Sequence, residues 1–275
     1  MQSTDMMELT PFSTLIAAMQ ADNDRFRITL PPDWLQGRTA YGGLSAALCV
    51  EATLRAFPDL PKLRSAQFAF VGPATGELHI EPKILRQGKS AAFINADLRG
   101  ESGLAVRAIL CFGAERHLPH DYGKHSMPTA PVLEACPSYF TWPNRPNFMN
   151  HFEGRLAAGG APLAGNPSPK MLVWLRHCDP AATGSIVSLV ALADALPPAS
   201  FASFREVVPI STMTWSFDVF DNDPESQSGW WLVHSTAETI GNGYSAQTAV
   251  IWHPDGRPIL AGRQNVAIFG KRQGQ

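Results

Sequence analysis

Asp194 is the side chain best suited to acid–base chemistry. It is the only charged residue between Asp179 and Arg205, and it directly follows the apolar run SIVSLVALA. A helix that is apolar on nearly all sides is buried, so a carboxylate within it must be paired, hydrogen-bonded or shifted in pKa. We interpret Asp194 as a general base whose pKa is raised toward neutrality by burial. The other interpretation, an exposed aspartate near a helix end with no chemical role, stays open.

Tyr41, Gly42 and Gly43 form a second candidate, a site for a developing negative charge. They lead into an apolar helix predicted over residues 44–57 and ended by Pro58. The free N–H groups and the dipole of a helix N-terminus stabilise an oxyanion, and glycine permits close approach to the backbone. The alternative is a tight turn that needs glycine for its conformation only.

Two motifs that suggest other chemistry are incomplete. The tripeptide GKS at 88–90 lacks the earlier glycine of a phosphate-binding loop, because that position is Lys83. The run GLSAA at 43–47 has Ala47 where a nucleophile elbow has glycine. Neither GxGxxG nor HExxH is present. Nucleotide hydrolysis and a catalytic serine are therefore disfavoured.

Three histidines in one segment have a spacing that metal ligands also use. They are His117, His120 and His125, and no cysteine or carboxylate nearby completes a convincing ligand set. We interpret them as part of a solvated loop. The sequence therefore predicts neither a metal nor any other cofactor.

The elements that must position these residues follow from the hydrophobic pattern. In the segment 77–85, Leu78, Ile80, Pro82 and Ile84 alternate with polar residues, which is typical of an antiparallel sheet with one solvated face. The first half is predicted to contain a short helix at 11–20, a strand at 25–30, the helix at 44–57, and strands at 63–71, 77–85, 90–98 and 104–112.

The second half repeats this pattern after a proline-rich segment, 117–147, which we interpret as a linker. Strands are predicted at 148–155, 171–177, 210–220, 230–240, 245–252 and 259–269, and a helix at 183–196. Gly88-x-Ser90 and Gly243-x-Ser245 occupy equivalent places about 155 residues apart, which indicates an internal duplication. The prediction is an α+β protein with repeats at 1–116 and 148–275.

Composition excludes several classes of protein. The 275 residues carry 22 Lys and Arg against 24 Asp and Glu, a net charge of -2, which argues against nucleic-acid binding and polybasic membrane attachment. No apolar run approaches the ~18 residues of a membrane helix, and the N-terminus does not resemble a signal peptide. The four scattered cysteines form no CxxC pair, as in reducing compartments. A cytoplasmic protein is predicted.

The chain resembles the acyl-CoA thioesterase II family of double-hotdog enzymes over nearly its whole length. The resemblance rests on Trp34, Tyr41-Gly42-Gly43, Ser65, Phe70-Val71-Gly72-Pro73, Leu85-Arg86-x-Gly88-x-Ser90, Cys111-Phe112-Gly113, Leu192-Ala193-Asp194, Ser211-Thr212 and Arg263-Gln264. It implies two β-α-β-β-β-β repeats whose joined antiparallel sheet wraps around two central helices. It also implies a homo-oligomer.

The resemblance further implies which residues activate the attacking water. In that family a helix Asp, a strand Thr and a last-strand Gln do so, and they correspond here to Asp194, Thr212 and Gln264. A slip of one residue in the last strand would replace Gln264 by Asn265 and turn Gln264 to the opposite face. Gln264 is the preferred assignment.

The expected activity is hydrolysis of an acyl-CoA thioester, and one departure from the family keeps an alternative open. The run Met213-Thr214-Trp215 stands where an aspartate–histidine pair is common. A non-catalytic acyl-CoA or acyl-carrier binding protein on the same fold is therefore the second hypothesis. A hydratase-type lyase is disfavoured, because no aspartate is followed five positions later by histidine.

Coenzyme A is strongly anionic, so cationic side chains are expected near the entrance of its site. Arg86, Lys89 and Arg263 flank the shared motifs and are the candidates, although ordinary solvated charges at strand ends are an equally good interpretation. Three tryptophans in or beside the second-half sheet, Trp215, Trp230 and Trp231, suggest a bulky pocket lining and hence selection among acyl groups. The sequence leaves open the acyl chain and the choice between CoA and a carrier protein.

Overall fold

The protein is described from a computed structural model that covers residues 9–117, 119–120, 122–123, 125–221 and 224–270. Its helices are α1 (Phe12–Ala17), α2 (Gly42–Ala56) and α3 (Ile186–Ala193). Its strands are β1 (Gln20–Asp22), β2 (Arg25–Thr29), β3 (Leu35–Gln36), β4 (Thr39–Ala40), β5 (Leu63–Phe70), β6 (Glu77–Gln87), β7 (Ala91–Gly100), β8 (Gly103–Gly113), β9 (Phe152–Gly159), β10 (Lys170–His177), β11 (Ile210–Val219), β12 (Trp231–Gly241), β13 (Tyr244–Trp252) and β14 (Pro258–Ile268).

One antiparallel sheet of twelve strands holds the two halves together. The strand order is β1-β2-β6-β7-β8-β5-β11-β14-β13-β12-β10-β9, and β3 pairs separately with β4. Each half contributes six consecutive strands in mirrored order, joined where β5 pairs with β11. The predicted α+β double hotdog with a joined sheet is confirmed. The division of the chain at 116 and 148 stays a prediction.

The structure adds elements that the sequence pattern does not predict. In the first half, where one strand was predicted before the main helix, the three-residue strand β1 accompanies β2, and the two-residue strands β3 and β4 follow. In the second half the two strands predicted before the helix correspond to β9 and β10. Residues 147–151 form a 3-10 turn, so the predicted strand at 148–155 begins at Phe152. Such short elements contain too few residues for a periodic pattern.

The period-2 pattern predicts correctly which side of the sheet carries the core. On β7, Ile94, Ala96 and Leu98 have no exposed surface and face the helices. On the outer face of the same strand, Asp97 accepts two hydrogen bonds from the Arg107 guanidinium, at 2.8 and 2.7 Å. Alternation therefore places apolar contacts inside and an ion pair outside.

The helices α2 and α3 pack against each other in opposite directions on the inner face. The start of α2 meets the end of α3, where Gly43 approaches Ala191, while Glu51 and Val187 border one cleft at the opposite ends. The Tyr41 hydroxyl donates to the Ala191 carbonyl oxygen at 3.1 Å. The helices therefore converge at the residues on which the sequence analysis depends.

The predicted linker is packed onto the second half. The Trp252 indole donates to the His125 carbonyl oxygen at 2.8 Å, and the Tyr139 amide donates to the Gly154 carbonyl oxygen at 2.8 Å. Tyr139 is only 2% exposed. Buried aromatic residues thus fix a segment whose prolines prevent regular structure.

Within the described part of the chain, no helix is both long enough and apolar enough to cross a bilayer.

The contact between the two helices predicts the effect of a methyl group at Gly43. A Cβ there would lie 2.6 Å from the Ala191 carbonyl oxygen and 2.9 Å from the Asp194 Cβ. We expect Gly43→Ala to lower the free energy of unfolding by about 1–3 kcal/mol, measured by urea denaturation. Gly184→Ala is the control, because nothing lies within 4 Å of its Cβ position. Equal stability of the two variants would contradict the close helix contact.

Candidate active site

Asp194 lies where α3 ends. The helix begins at Ile186 and is capped by Ser185, whose hydroxyl accepts a hydrogen bond from the Ser188 backbone amide at 3.0 Å. It ends at Ala193 because Pro197 and the proline after it cannot continue a helix. Asp194 is therefore the C-cap, and its side chain is half-buried because part of it borders a cavity.

The carboxylate of Asp194 contacts the last strand. The Gln264 side-chain amide donates from Nε2 to Asp194 Oδ1 at 2.5 Å. In register, Gln264 pairs with Trp215 of β11, and the neighbouring Asn265 pairs with Thr214. Since alternate residues face opposite sides of a sheet, Gln264 faces the helices and Asn265 faces outward.

Burial raises the pKa of Asp194 to about 7. Loss of hydration is the main cause, because it disfavours the charged form. The hydrogen bonds from Gln264 and from the Gly43 backbone N–H act in the opposite direction and lower the pKa. The carboxylate can therefore exchange a proton near neutral pH.

A second glutamine, Gln247, fixes the orientation of Gln264, and the sequence analysis missed it. Its Nε2 donates a short hydrogen bond to Gln264 Oε1, and its Oε1 accepts from the Ala199 backbone N–H at 2.8 Å. The Gln264 oxygen thus faces Gln247 and its NH₂ group faces Asp194. Gln247 is 5% exposed, and the available signal was a polar residue at an inward position of a strand.

A small cavity lies beside these side chains. Its volume is about 20 Å³, enough for one water molecule. The polar residues that line it are Asp194, Ser235, Gln247 and Gln264. A water there meets several hydrogen-bonding groups, which is what a buried water requires.

Thr212 lies on the same face of the sheet as Gln264 because β11 contains a bulge. Trp215 pairs with Gln264, Thr212 pairs with Val266, and the register shifts just after Thr212. Thr212 and Trp215 therefore both face inward, although three positions separate them. Thr212 is half-buried, and no hydrogen bond among the described residues joins its hydroxyl to the carboxylate.

The predicted oxyanion segment lies against Asp194. Tyr41 is 1% exposed, and burial, with the nearby Asp194 charge, raises the pKa of its phenol. Its hydroxyl donates a hydrogen bond to the Ala191 carbonyl oxygen of α3. This side chain therefore connects the two helices and does not line the cavity. A Cβ at Gly42 would lie 2.7 Å from Asp194 Oδ2, so glycine is needed for this approach.

The three candidate cations lie away from the cavity. Arg263 is next to Gln264 on β14 but faces outward, where it forms an ion pair with Glu238 at 2.6 Å. Arg86 and Lys89 are exposed near the β6–β7 turn, and four strands separate β6 from β14. Their assignment to coenzyme A stays a prediction.

The described residues contain no cluster of side chains suited to bind a metal ion. No group of three or more His, Cys, Asp or Glu side chains there could share a metal ion. His125 instead stacks on Phe220, with ring centroids 5.5 Å apart.

The fold and this site define a double-hotdog protein with a buried carboxylate between its two helices. Residues 30–113 match the acyl-CoA thioesterase N-terminal domain, and residues 128–268 match the acyl-CoA thioesterase C-terminal domain. The chain therefore belongs to the acyl-CoA thioesterase family. No curated protein sequence matches it.

Solved structures agree with this fold. A protein of unknown function with a hot dog fold from Alicyclobacillus acidocaldarius is 21% identical, with a TM-score of 0.84 over 95% of this chain and 99% of that one. A proposed thioesterase II from Thermobifida fusca is 18% identical, with a TM-score of 0.78 over 95% and 98%. An acyl-CoA thioesterase II from Mycobacterium marinum is 17% identical, with a TM-score of 0.72 over 93% and 98%.

The raised pKa of Asp194 predicts a pH-dependent stability. The pKa of Asp194 is about 7 in the folded chain, whereas an aspartate in an unfolded chain has a pKa of about 3.9. Between these values the folded state binds more protons, so the free energy of unfolding falls as the pH rises. Asp194→Asn removes this pH dependence. The free energy of unfolding of the variant, relative to that of the wild type, should therefore rise by about 2 kcal/mol as the pH increases from about 5 to about 8.

Urea unfolding at several pH values measures this difference, with Asp218→Asn on the outer face of β11 as the control. A difference between Asp194→Asn and the wild type that stays constant with pH would contradict the raised pKa.

Proposed function

We propose that this chain hydrolyses acyl-CoA thioesters by direct attack of a water molecule that Asp194 activates. The observation that carries the proposal is the hydrogen bond from Gln264 to Asp194, beside a cavity for one water, in a member of the acyl-CoA thioesterase family. The product would be a free acid and the CoA thiol.

Asp194 acts first as a base and then as an acid. The water oxygen attacks the thioester carbonyl carbon while its proton passes to an Asp194 oxygen. The tetrahedral oxyanion then expels the CoA thiolate as the carbon–sulfur bond breaks. The proton held on Asp194 returns to that sulfur. A pKa near 7 suits both transfers, since neither protonation state is strongly disfavoured at neutral pH.

Gln264 and Gln247 keep this geometry fixed. Gln264 can donate only to Asp194 or to the water, because Gln247 holds its oxygen on the other side. The orienting groups are thus in position before the substrate arrives, which avoids reorganisation during the reaction. Gln264 is proposed to touch the water, and Gln247 to act as a positioning residue.

The start of α2 is proposed to stabilise the negative charge. Its first N–H groups have no partners within the helix, and the N-terminus of the helix dipole favours an anion. Gly43 already donates to the Asp194 carboxylate. As this carboxylate takes up the proton, the charge moves to the thioester oxygen, which Gly42 allows to approach the same helix end.

Thr212 is proposed to contact the substrate or the water from the sheet. It pairs with Val266, which is the next inward-facing residue of β14 after Gln264. A hydroxyl can donate and accept a hydrogen bond at that place.

A non-catalytic acyl-CoA binding protein is the second candidate. The run Met213-Thr214-Trp215 favours it, because an aspartate–histidine pair is common in the family at that place and this chain has neither residue there. Saturable acyl-CoA binding without thiol release would select this candidate.

Asp194→Asn tests the base. Asparagine keeps the shape of the side chain but cannot accept the proton, so kcat should fall at least ~100-fold. The measurement is thiol release from a panel of acyl-CoAs of different chain lengths. Asp218→Asn, on the outer face, is the matched control and should retain activity. Unchanged turnover of Asp194→Asn would refute the proposed role.

The pH profile of kcat/KM tests the orientation of Gln264. For the wild type, activity should be lost as the pH falls through about 7, because the base must be ionised. Gln247→Met frees the Gln264 amide to rotate and weakens its hydrogen bond to Asp194. Because that hydrogen bond lowers the Asp194 pKa, the apparent pKa should rise, and kcat should fall about 10-fold with little change in KM.

Gln67→Met, at an exposed position of β5, is the control for loss of an amide. A Gln247→Met profile identical with that of the wild type would contradict the positioning role.

A further inference from the structure

We propose that Trp215 makes the site prefer short acyl groups, by filling the space into which a longer chain would extend. This inference rests on the proposed function, because it names the acyl group that the Asp194 site accepts.

The register of the sheet puts Trp215 next to the proposed reaction centre. On β11 it pairs with Gln264 of β14 on one side and with Phe68 of β5 on the other. It is 4% exposed and lines the cavity together with Asp194 and Gln264. The indole therefore lies between the sheet and the end of α3, beside the water position.

Other aromatic rings hold the indole in place. The ring centroids of Trp215 lie 5.6 Å from Phe68 and 4.8 Å from Phe217. The next ring along β5, Phe70, lies 6.4 Å from Phe68 and 3.2 Å from the position of a Cβ at Gly42. An aromatic row thus extends from the sheet to the start of α2. Such a row cannot open by rotation of one small side chain.

One residue of β14 beside the indole, Gly262, has no side chain. A Cβ at Gly262 would lie only 3.1 Å from Trp215 Nε1. The absence of a side chain at Gly262 therefore lets the indole lie over β14. The sequence combines its largest side-chain type with its smallest at this contact, which is how a tightly filled interior is built.

The size of the cavity sets the limit on the acyl group. A reacting carbonyl carbon must come within about 3–3.5 Å of the water, so the acyl chain begins at the cavity wall. The 20 Å³ present hold one water. An acyl chain must therefore displace residues of the wall, and each added methylene group displaces more of them. The other apolar residues of the wall are small or aliphatic: Ala193, Leu196, Pro197, Val233, Ala249 and Gly262. Shortening Trp215 therefore gives more space than shortening any of them.

The experiment compares kcat/KM for acetyl-, butyryl-, octanoyl- and palmitoyl-CoA. For the wild type we expect at least a ~10-fold fall from butyryl to octanoyl, because overfilling a packed pocket by several methylene groups is costly. Trp215→Leu should raise the octanoyl-to-butyryl ratio at least ~10-fold. Trp215→Phe keeps a ring and should fall between the two. Trp174→Leu, a tryptophan on the outer face, should keep the wild-type ratio.

Each outcome decides one of the claims. The preference for short acyl groups is overturned if the wild type turns over octanoyl- and palmitoyl-CoA as well as butyryl-CoA. It is also overturned if folded Trp215→Leu keeps the wild-type ratio. Either result leaves the proposed hydrolase activity intact. Absence of thiol release from every substrate would overturn the hydrolase activity and the preference together. If Trp215→Leu does not fold, the wild-type profile and Trp215→Phe decide the matter.

Discussion

The structure depends on the close approach of two helix ends. The N-terminus of α2 meets the C-terminus of α3 with no side chain at Gly42 or Gly43 to separate them, and the Tyr41 hydroxyl joins the two. This contact takes Asp194 away from water, which raises its pKa. Two hydrogen bonds limit the rise, one from the Gln264 amide and one from the Gly43 backbone N–H. A carboxylate that titrates near neutrality results from the balance of burial against these hydrogen bonds.

The two halves of the chain contribute unlike parts to the site. The first half supplies the helix N-terminus, and the second supplies Asp194, Gln264 and Gln247. Neither half could form the site alone, since the carboxylate is buried only where both helices lie against the shared sheet. The pairing of β5 with β11 fixes their relative position and also places Phe68 beside Trp215. Packing between β5 and β11 therefore bears on the proposed chemistry and on the proposed acyl selection.

The sequence predicted the double-hotdog fold and the unusual setting of Asp194. Long alternating strands carry a strong periodic signal, whereas β1 is too short to carry one. Gln247 was missed because its partners, Gln264 and the Ala199 amide, become neighbours only through strand register and a loop. The bulge that turns Thr212 inward likewise depends on pairing with β14 and not on local preference.

The pKa of the Asp194 carboxyl group is the quantity that tests the account most directly. It can be measured by NMR titration of protein labelled with ¹³C at the aspartate side-chain carboxyls, with Asp194→Asn identifying the signal. The account predicts a pKa of about 7. A value near about 4, as for a solvated aspartate, would show that the helix contact does not bury the carboxylate and would contradict its role as the base.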